Sequence, residues 1–167
     1  VADPGGMFGG QYFANVSIEN NDPLDETRNI SVAMNLTGVP DIAYDELYIE
    51  FDTLVVFSSS SKELTIYNNG TADLVISDIS FTSDAFSAFW SVDSSEVSNS
   101  VIPAYETRDL AIQFAPEVEG AFTASLTINS NDPDQGSAVL GLVGQAIPAP
   151  EIAVDPLSYD FGTVFQD

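Results

Sequence analysis

This sequence predicts an all-β fold: a tandem array of immunoglobulin-sized antiparallel β-sandwich repeats, each roughly 110 residues long. Three observations carry that expectation. Two separate blocks of sequence recur at one common spacing, the distance from Asp22 to Asp132. Apolar and polar residues alternate at period two in segment after segment, the pattern of strands with one face buried. Clusters of Asn, Asp, Gly and Pro punctuate those segments, and no 3.6-period amphipathic stretch of helical length occurs between them.

The recurrence sets the units. Gly10, Ala14, Ile18, Asn21, Asp22 and Pro23 return as Gly120, Ala124, Ile128, Asn131, Asp132 and Pro133. The stretch from Pro40 to Phe51 returns between Pro150 and Phe161, at the same offset. Chance is a poor explanation for two blocks at one offset, and the spacing is the size of one sandwich domain. The chain then holds the C-terminal part of a preceding repeat at 1–38, a complete repeat at 39–148, and the first strand of a following repeat at 149–167. Both ends read as cuts through a longer polypeptide: a Gly-rich opening from Pro4 to Gly10, and a stop at Asp167 just after a strand pattern.

Taken in order, residues 10–18 and 30–36 read as a hairpin. Its apolar face (Tyr12, Ala14, Val16 and Ile18 with Val32, Met34 and Leu36) has no opposing sheet within its own repeat. In the complete repeat, Leu64 and Ile66 alternate with Glu63, Thr65 and Tyr67, and Asn68-Asn69-Gly70 then turns the chain. The more continuous apolar run from Leu74 to Phe81 suits a central strand. Leu110, Ile112 and Phe114 alternate with Asp109, Ala111 and Gln113. Phe122, Ala124, Leu126 and Ile128 alternate with Thr123, Ser125 and Thr127, and Asn131-Asp132-Pro133-Asp134 turns into the last strand. The expected core is Phe51, Leu64, Ile66, Ile76, Leu110, Ile112, Phe114, Phe122, Leu126 and Ile128. Residues 151–161 read as one more strand.

Composition narrows function by exclusion. Three basic residues, Arg28, Lys62 and Arg108, stand against 26 acidic ones, for a formal net charge of −23. Nucleic-acid binding rests on neutralising phosphates, and this balance argues against it. It equally disfavours an anionic membrane surface. The chain has no histidine and no cysteine. That removes Ser-His-Asp triads, cysteine nucleophiles, Cys/His zinc sites and disulfides together. With 44% hydrophobic residues, eleven Phe among them, the chain can still bury a core. No run of about 18 apolar residues is present, so no membrane insertion is expected. Scarce Lys and Arg suit an acidic, self-repelling surface facing an ion-rich exterior, so an extracellular or cell-surface location is expected.

Several motifs carry two readings. The Asn-Asp-Pro turns offer hard oxygen ligands for Ca2+, at Asp22, Asp132 and Asp134. The same residues serve as plain turn formers, because Asn and Asp accept local backbone hydrogen bonds and Pro fixes φ. Asp155, just past a repeat boundary, is a further calcium candidate for a bridging cation that stiffens the joint. No other cofactor is expected. Acidic residues are spread along the chain rather than run together, which favours a solvated surface. The cluster Phe86, Phe89 and Trp90 reads either as core or as a sugar-stacking platform. Sequons occur at Asn15, Asn29, Asn35 and Asn69.

These residues together resemble a known family. The series Ile42-Ala43-Tyr44-Asp45, Phe51, Leu64 to Gly70 and Ala72 to Ile76 is similar to the start of an ASH (abnormal-spindle/hydin-type) domain. Phe86, Ile102-Pro103, Leu110 to Pro116, Gly120 to Pro133 and Gly144 resemble its later half. Bacterial members are known as choice-of-anchor D repeats of large surface proteins. The resemblance implies an immunoglobulin-like sandwich and a non-catalytic role, and it implies no ligand.

The expected function follows: a non-catalytic spacer, stalk, adhesin shaft or filament element of a large surface protein. Its partners would be neighbouring repeats of the same longer chain, or copies of itself. Two alternatives stand beside it: a module that binds a peptide or glycan, and an accessory domain of a secreted hydrolase. A ciliary or centrosomal setting is disfavoured by the scarcity of Lys and Arg.

Overall fold

The alternating segments between Gly10 and Ile147 become strands. The computed structural model describes residue 5, residues 7–24, residues 26–163 and residue 166. Pro4 and Gly6 of the Gly-rich opening and the terminal Asp167 lie outside the described residues, as do other outermost positions of the units expected at 1–38 and 149–167. The strands are β1 (Gly10–Glu19), β2 (Thr27–Leu36), β3 (Ile42–Tyr44), β4 (Tyr48–Val55), β5 (Ser60–Asn68), β6 (Leu74–Phe81), β7 (Phe86–Trp90), β8 (Ser100–Ile102), β9 (Thr107–Phe114), β10 (Gly120–Ser130) and β11 (Ser137–Ile147). No helix forms among the described residues.

Two sheets face each other in the complete unit. One has the order β4-β11-β10-β6-β8 and the other β3-β5-β9-β7. Each contributes the inward half of its alternation. Leu64, Ile66, Leu110, Ile112 and Phe114 meet Leu74, Ile76, Leu126, Ile128, Leu140 and Leu142 in one buried cluster. Burying one such side chain is worth about 1.5–3 kcal/mol, so these residues supply the main drive for folding. Phe51, Phe86 and Phe114 fill one end, with the Phe86 and Phe114 rings stacked at 4.9 Å. Gly144 makes room there, since a Cβ on it would strike the Phe114 ring at 2.6 Å. Every expected core residue is buried except Phe122, which is half-buried at the rim and edge-on to Phe114 at 5.3 Å.

The run from Leu74 to Phe81 is the inner strand β6, between β10 and β8. Its apolar residues are nevertheless not all buried: Leu74 and Ile76 point inward while Val75, Ile79 and Phe81 are half-buried. One pairing departs from the antiparallel plan. β4 lies parallel to β11, with Gly141 opposite Tyr48 and Ile147 opposite Val55. The cause is a change of sheet. The chain forms β3 in the four-stranded sheet, crosses at residues 45–47, and reaches the outer edge of β11 running in the same direction.

Strands β1 and β2 form a separate two-stranded sheet. Its register runs from Gly10 opposite Leu36 to Glu19 opposite Thr27, and it is the β10–β11 register carried back by 110 residues, as from Gly120 to Gly10. Both hairpins open on a glycine at positive φ, Gly10 at 156° and Gly120 at 136°. Of the apolar face expected on this hairpin, Ala14, Val16, Ile18 and Val32 are exposed, while Tyr12, Met34 and Leu36 are half-buried. Residues 151–161 differ from the expectation, for they carry no strand. A strand needs backbone partners, and no described strand pairs with this segment. Ile152, Leu157 and Phe161 are exposed there.

Candidate functional site

The candidate functional features of this chain are a polar joint and an apolar hairpin face that is largely exposed among the described residues. The joint is built on the turn between β10 and β11. Ser130 Oγ accepts from the Asp132 N–H at 3.3 Å, and Asp132 Oδ1 accepts from the N–H groups of Asp134 and Gln135 at 2.8 and 3.0 Å. Asp132 Oδ2 reaches out of the turn to the Ile42 N–H at 2.8 Å. Asn68 completes the joint from β5. Its Oδ1 accepts from the Asp41 and Gly70 N–H groups, and its Nδ2 donates to the carbonyls of Ala72 and Ile102. Two buried polar side chains therefore hold the backbone at residues 41–42, where the chain enters the sandwich. Buried polar groups must be hydrogen-bonded, and these are.

Asp132 is 5% exposed, while Asn131, Pro133 and Asp134 around it are exposed. Burial alone would raise its carboxyl. The Ile42, Gln135 and Asp134 N–H groups outweigh that and hold it below the usual carboxylate range.

The other hairpin repeats this turn. Asn20 Oδ1 accepts from the Asp22 N–H at 2.7 Å, and Asp22 Oδ1 accepts from the Leu24 N–H at 3.0 Å. Asn20, Asp22 and Leu24 are the counterparts of Ser130, Asp132 and Asp134. Asp22 is exposed. Asp134 and Asp155 are exposed as well, Asp134 in the β10–β11 turn and Asp155 in the strandless segment. The four calcium candidates are thus not gathered into one oxygen cage. No group of three potential metal ligands occurs among the described residues. Both oxygens of Asp132 serve backbone N–H groups, the turn-forming use of this motif.

The aromatic candidates divide. Trp90 and Phe86 are core residues, and Phe89 is half-buried. A sugar-stacking platform on Phe86 and Trp90 is corrected by this burial, because neither ring offers a free face to a ligand. The Arg108 guanidinium closes over the Trp90 ring at 4.2 Å from its centroid. Arg108 also pairs with Asp93 at 3.7 Å. The Asp93 carboxyl lies below its ordinary range, first through hydrogen bonds from the Ser95 hydroxyl and N–H, and then through Arg108. Sequence reasoning missed this cap and the Asn68 node. Arg108 carried no local signal, and Asn68 was legible only as part of a turn.

Residues 40–144 match the model of the HYDIN/CFA65/VesB-like Ig-like domains. The chain belongs to that family. Its complete unit is an Ig-like domain of the ASH type. No curated protein matches the chain. Among solved structures, the ASH/PapD-like domain 7 of human CEP192 is similar at a TM-score of 0.50 and 17% identity, over 65% of this chain and 87% of that one. A protein of unknown function from Porphyromonas gingivalis W83 is similar at 0.52 and 17% identity, over 87% of this chain and 70% of that one. A family 123 glycoside hydrolase from Clostridium perfringens is similar at 0.50 and 9% identity, over 66% of this chain and 27% of that one. At such identities these likenesses concern the fold alone.

Proposed function

We propose that this chain is a non-catalytic structural segment of tandem Ig-like repeats, serving as a spacer, stalk or filament element at an extracellular or cell surface. The observation that carries this reading is the doubled hairpin. The pairs β1–β2 and β10–β11 share residues, pairing register and turn hydrogen bonds, one repeat apart. A domain that recurs at fixed spacing gives reach by repetition, each unit burying its own core. Ala146 and Ile147 of the expected linker belong to β11, and the Pro148-Ala149-Pro150 segment that follows supports the role, because proline restricts bending between units. The lack of histidine and cysteine and the acidic surface fit a passive element. The partners are neighbouring repeats or further copies of the chain.

The test compares residues 40–148 alone with the full chain by calorimetry. We expect 40–148 to unfold in one cooperative transition, close to the melting temperature of the same unit in the full chain. A fragment that stays unfolded unless the flanks are present would overturn the repeat boundaries and the reading built on them.

A further inference from the structure

The complete unit shows how an incoming segment docks on the hairpin that ends a repeat. The Ile42 N–H is held by Asp132, and β4 then runs parallel along β11, with Leu142 opposite Ile49 and Val143 opposite Glu50. Ile42, Ile49 and Phe51 are buried by this docking. Both halves of the arrangement occur a second time in the sequence, as the hairpin β1–β2 and as residues 152–163. They do not meet within the chain: β1 and β2 form a sheet of two, and residues 151–161 carry no strand.

We propose that residues 152–163 of one copy dock on the β1–β2 hairpin of a second copy, an inference resting on the repeat reading above. The Ile152 N–H takes Asp22 as its acceptor, as Ile42 takes Asp132. Residues 158–163 run parallel along the outer edge of β2. Carrying the β4–β11 register over by the repeat offset places Ser158 opposite Ser31, Tyr159 opposite Val32 and Asp160 opposite Ala33. Tyr159 and Phe161 then occupy the places of Ile49 and Phe51, on the apolar face that β1 and β2 leave open. Both rings are available, at 73% and 82% exposure.

A local difference between the hairpins fits this occupant. Gly144 leaves space that Phe114 fills, and Phe51 packs on Phe114 at 5.6 Å. In the first hairpin the counterpart of Gly144 is Met34 and that of Phe114 is Pro4. The hairpin brings its own bulk to that position, and Phe161 meets a polarisable thioether there in place of a ring. Each contact joins unlike surfaces, so copies add head to tail rather than closing as a symmetric dimer. One added strand makes a three-stranded sheet but supplies no opposing sheet, so the association is reversible and concentration-dependent. Two chains of charge −23 repel each other, and added salt strengthens the contact.

The chain has no cysteine, which makes a cross-linking test clean. The 167-residue chain carrying Ser31→Cys is mixed with the same chain carrying Ser158→Cys under mild oxidation, and association of the unmodified chain is followed by sedimentation. We expect the 31–158 disulfide to exceed the 31–31 and 158–158 products. We also expect Phe161→Asp to weaken association by about tenfold or more, with an unchanged melting temperature because Phe161 is exposed. A chain that stays monomeric at high concentration and salt would overturn the inference. So would dominant 31–31 cross-links, or a Phe161→Asp variant that associates normally. If 40–148 folds alone while these results go against pairing, the repeat reading stands and only the pairing between copies falls.

Discussion

Asp132 concentrates the energetics of the joint in one carboxylate. It accepts from the N–H groups of Ile42, Asp134 and Gln135. Hydrogen bonds to a charged group are worth about 1.5–3 kcal/mol, so Asp132→Asn should cost about 1–3 kcal/mol at neutral pH, with the Ile42 N–H losing its acceptor. The pH dependence follows from the direction of the shift. A carboxyl held below its ordinary value contributes stability that is fully present above its unfolded pKa of about 3.9, and that is lost as pH falls through the lower, folded value. Loss of net negative charge in acid also relieves self-repulsion, an effect of opposite sign. The informative quantity is therefore the difference between the parent chain and Asp132→Asn, in which those contributions cancel. Denaturant unfolding should show a constant gap above about pH 5 that narrows progressively below about pH 4. A gap that persists unchanged in acid would mean that the carboxylate charge is not what holds residue 42.

Strands β9 and β10 show what alternation determines. Leu126 and Phe114 are fully buried, whereas Thr127 lies on the outer face of the same sheet as Leu126. Leu126→Ala and Phe114→Ala should each cost about 2–5 kcal/mol. Thr127→Ala should stay within about 0.5 kcal/mol in the same urea titration. Equal losses at 126 and 127 would contradict the register. This register was legible because period two is a local signal, readable within a few residues at Leu64–Ile66, Leu110–Phe114 and Phe122–Ile128. The parallel pairing of β4 with β11 was not legible. It joins segments from opposite ends of the unit, and no local pattern distinguishes a parallel edge strand from an antiparallel one. The Asp132–Ile42 bond spans a similar separation, so the Asn-Asp-Pro motif could be read only as a turn or as a ligand set. Residues 151–161 carry the sequence pattern of 41–51 but form no strand, because pattern alone makes no strand without an edge to pair with. Phe86 and Trp90 were ambiguous because an aromatic cluster suits core and binding platform equally. The sheet topology, not the sequence, turns both rings inward.

The whole molecule is governed by one imbalance: 26 acidic side chains against three basic ones. Arg108 is engaged by Trp90 and Asp93, so most of the acidic charge faces solvent without a cation close by. Repulsion among exposed charges opposes the compact state and is screened over about 10 Å at 0.1 M salt. Raising monovalent salt from low to moderate concentration should therefore raise the melting temperature. Divalent ions should do the same at lower concentration, by screening and weak surface association. A specific calcium site would behave differently, because binding to the native state alone stabilises it in proportion to the logarithm of ligand over Kd. It would give a shift at micromolar Ca2+ that matched Mg2+ does not reproduce. The geometry argues for the first behaviour. Asp132 has both oxygens occupied by backbone N–H groups, and Asp22, Asp134 and Asp155 are exposed on separate segments. A closed calcium site needs about six to eight oxygens at roughly 2.3–2.6 Å. We expect calorimetry to give equal shifts for Ca2+ and Mg2+ at equal concentration, both reversed by dilution. A shift at micromolar Ca2+ that chelator removes and Asp155→Asn abolishes would instead establish a cation-stiffened joint, in which carboxylates of adjoining units are brought together by the ion itself.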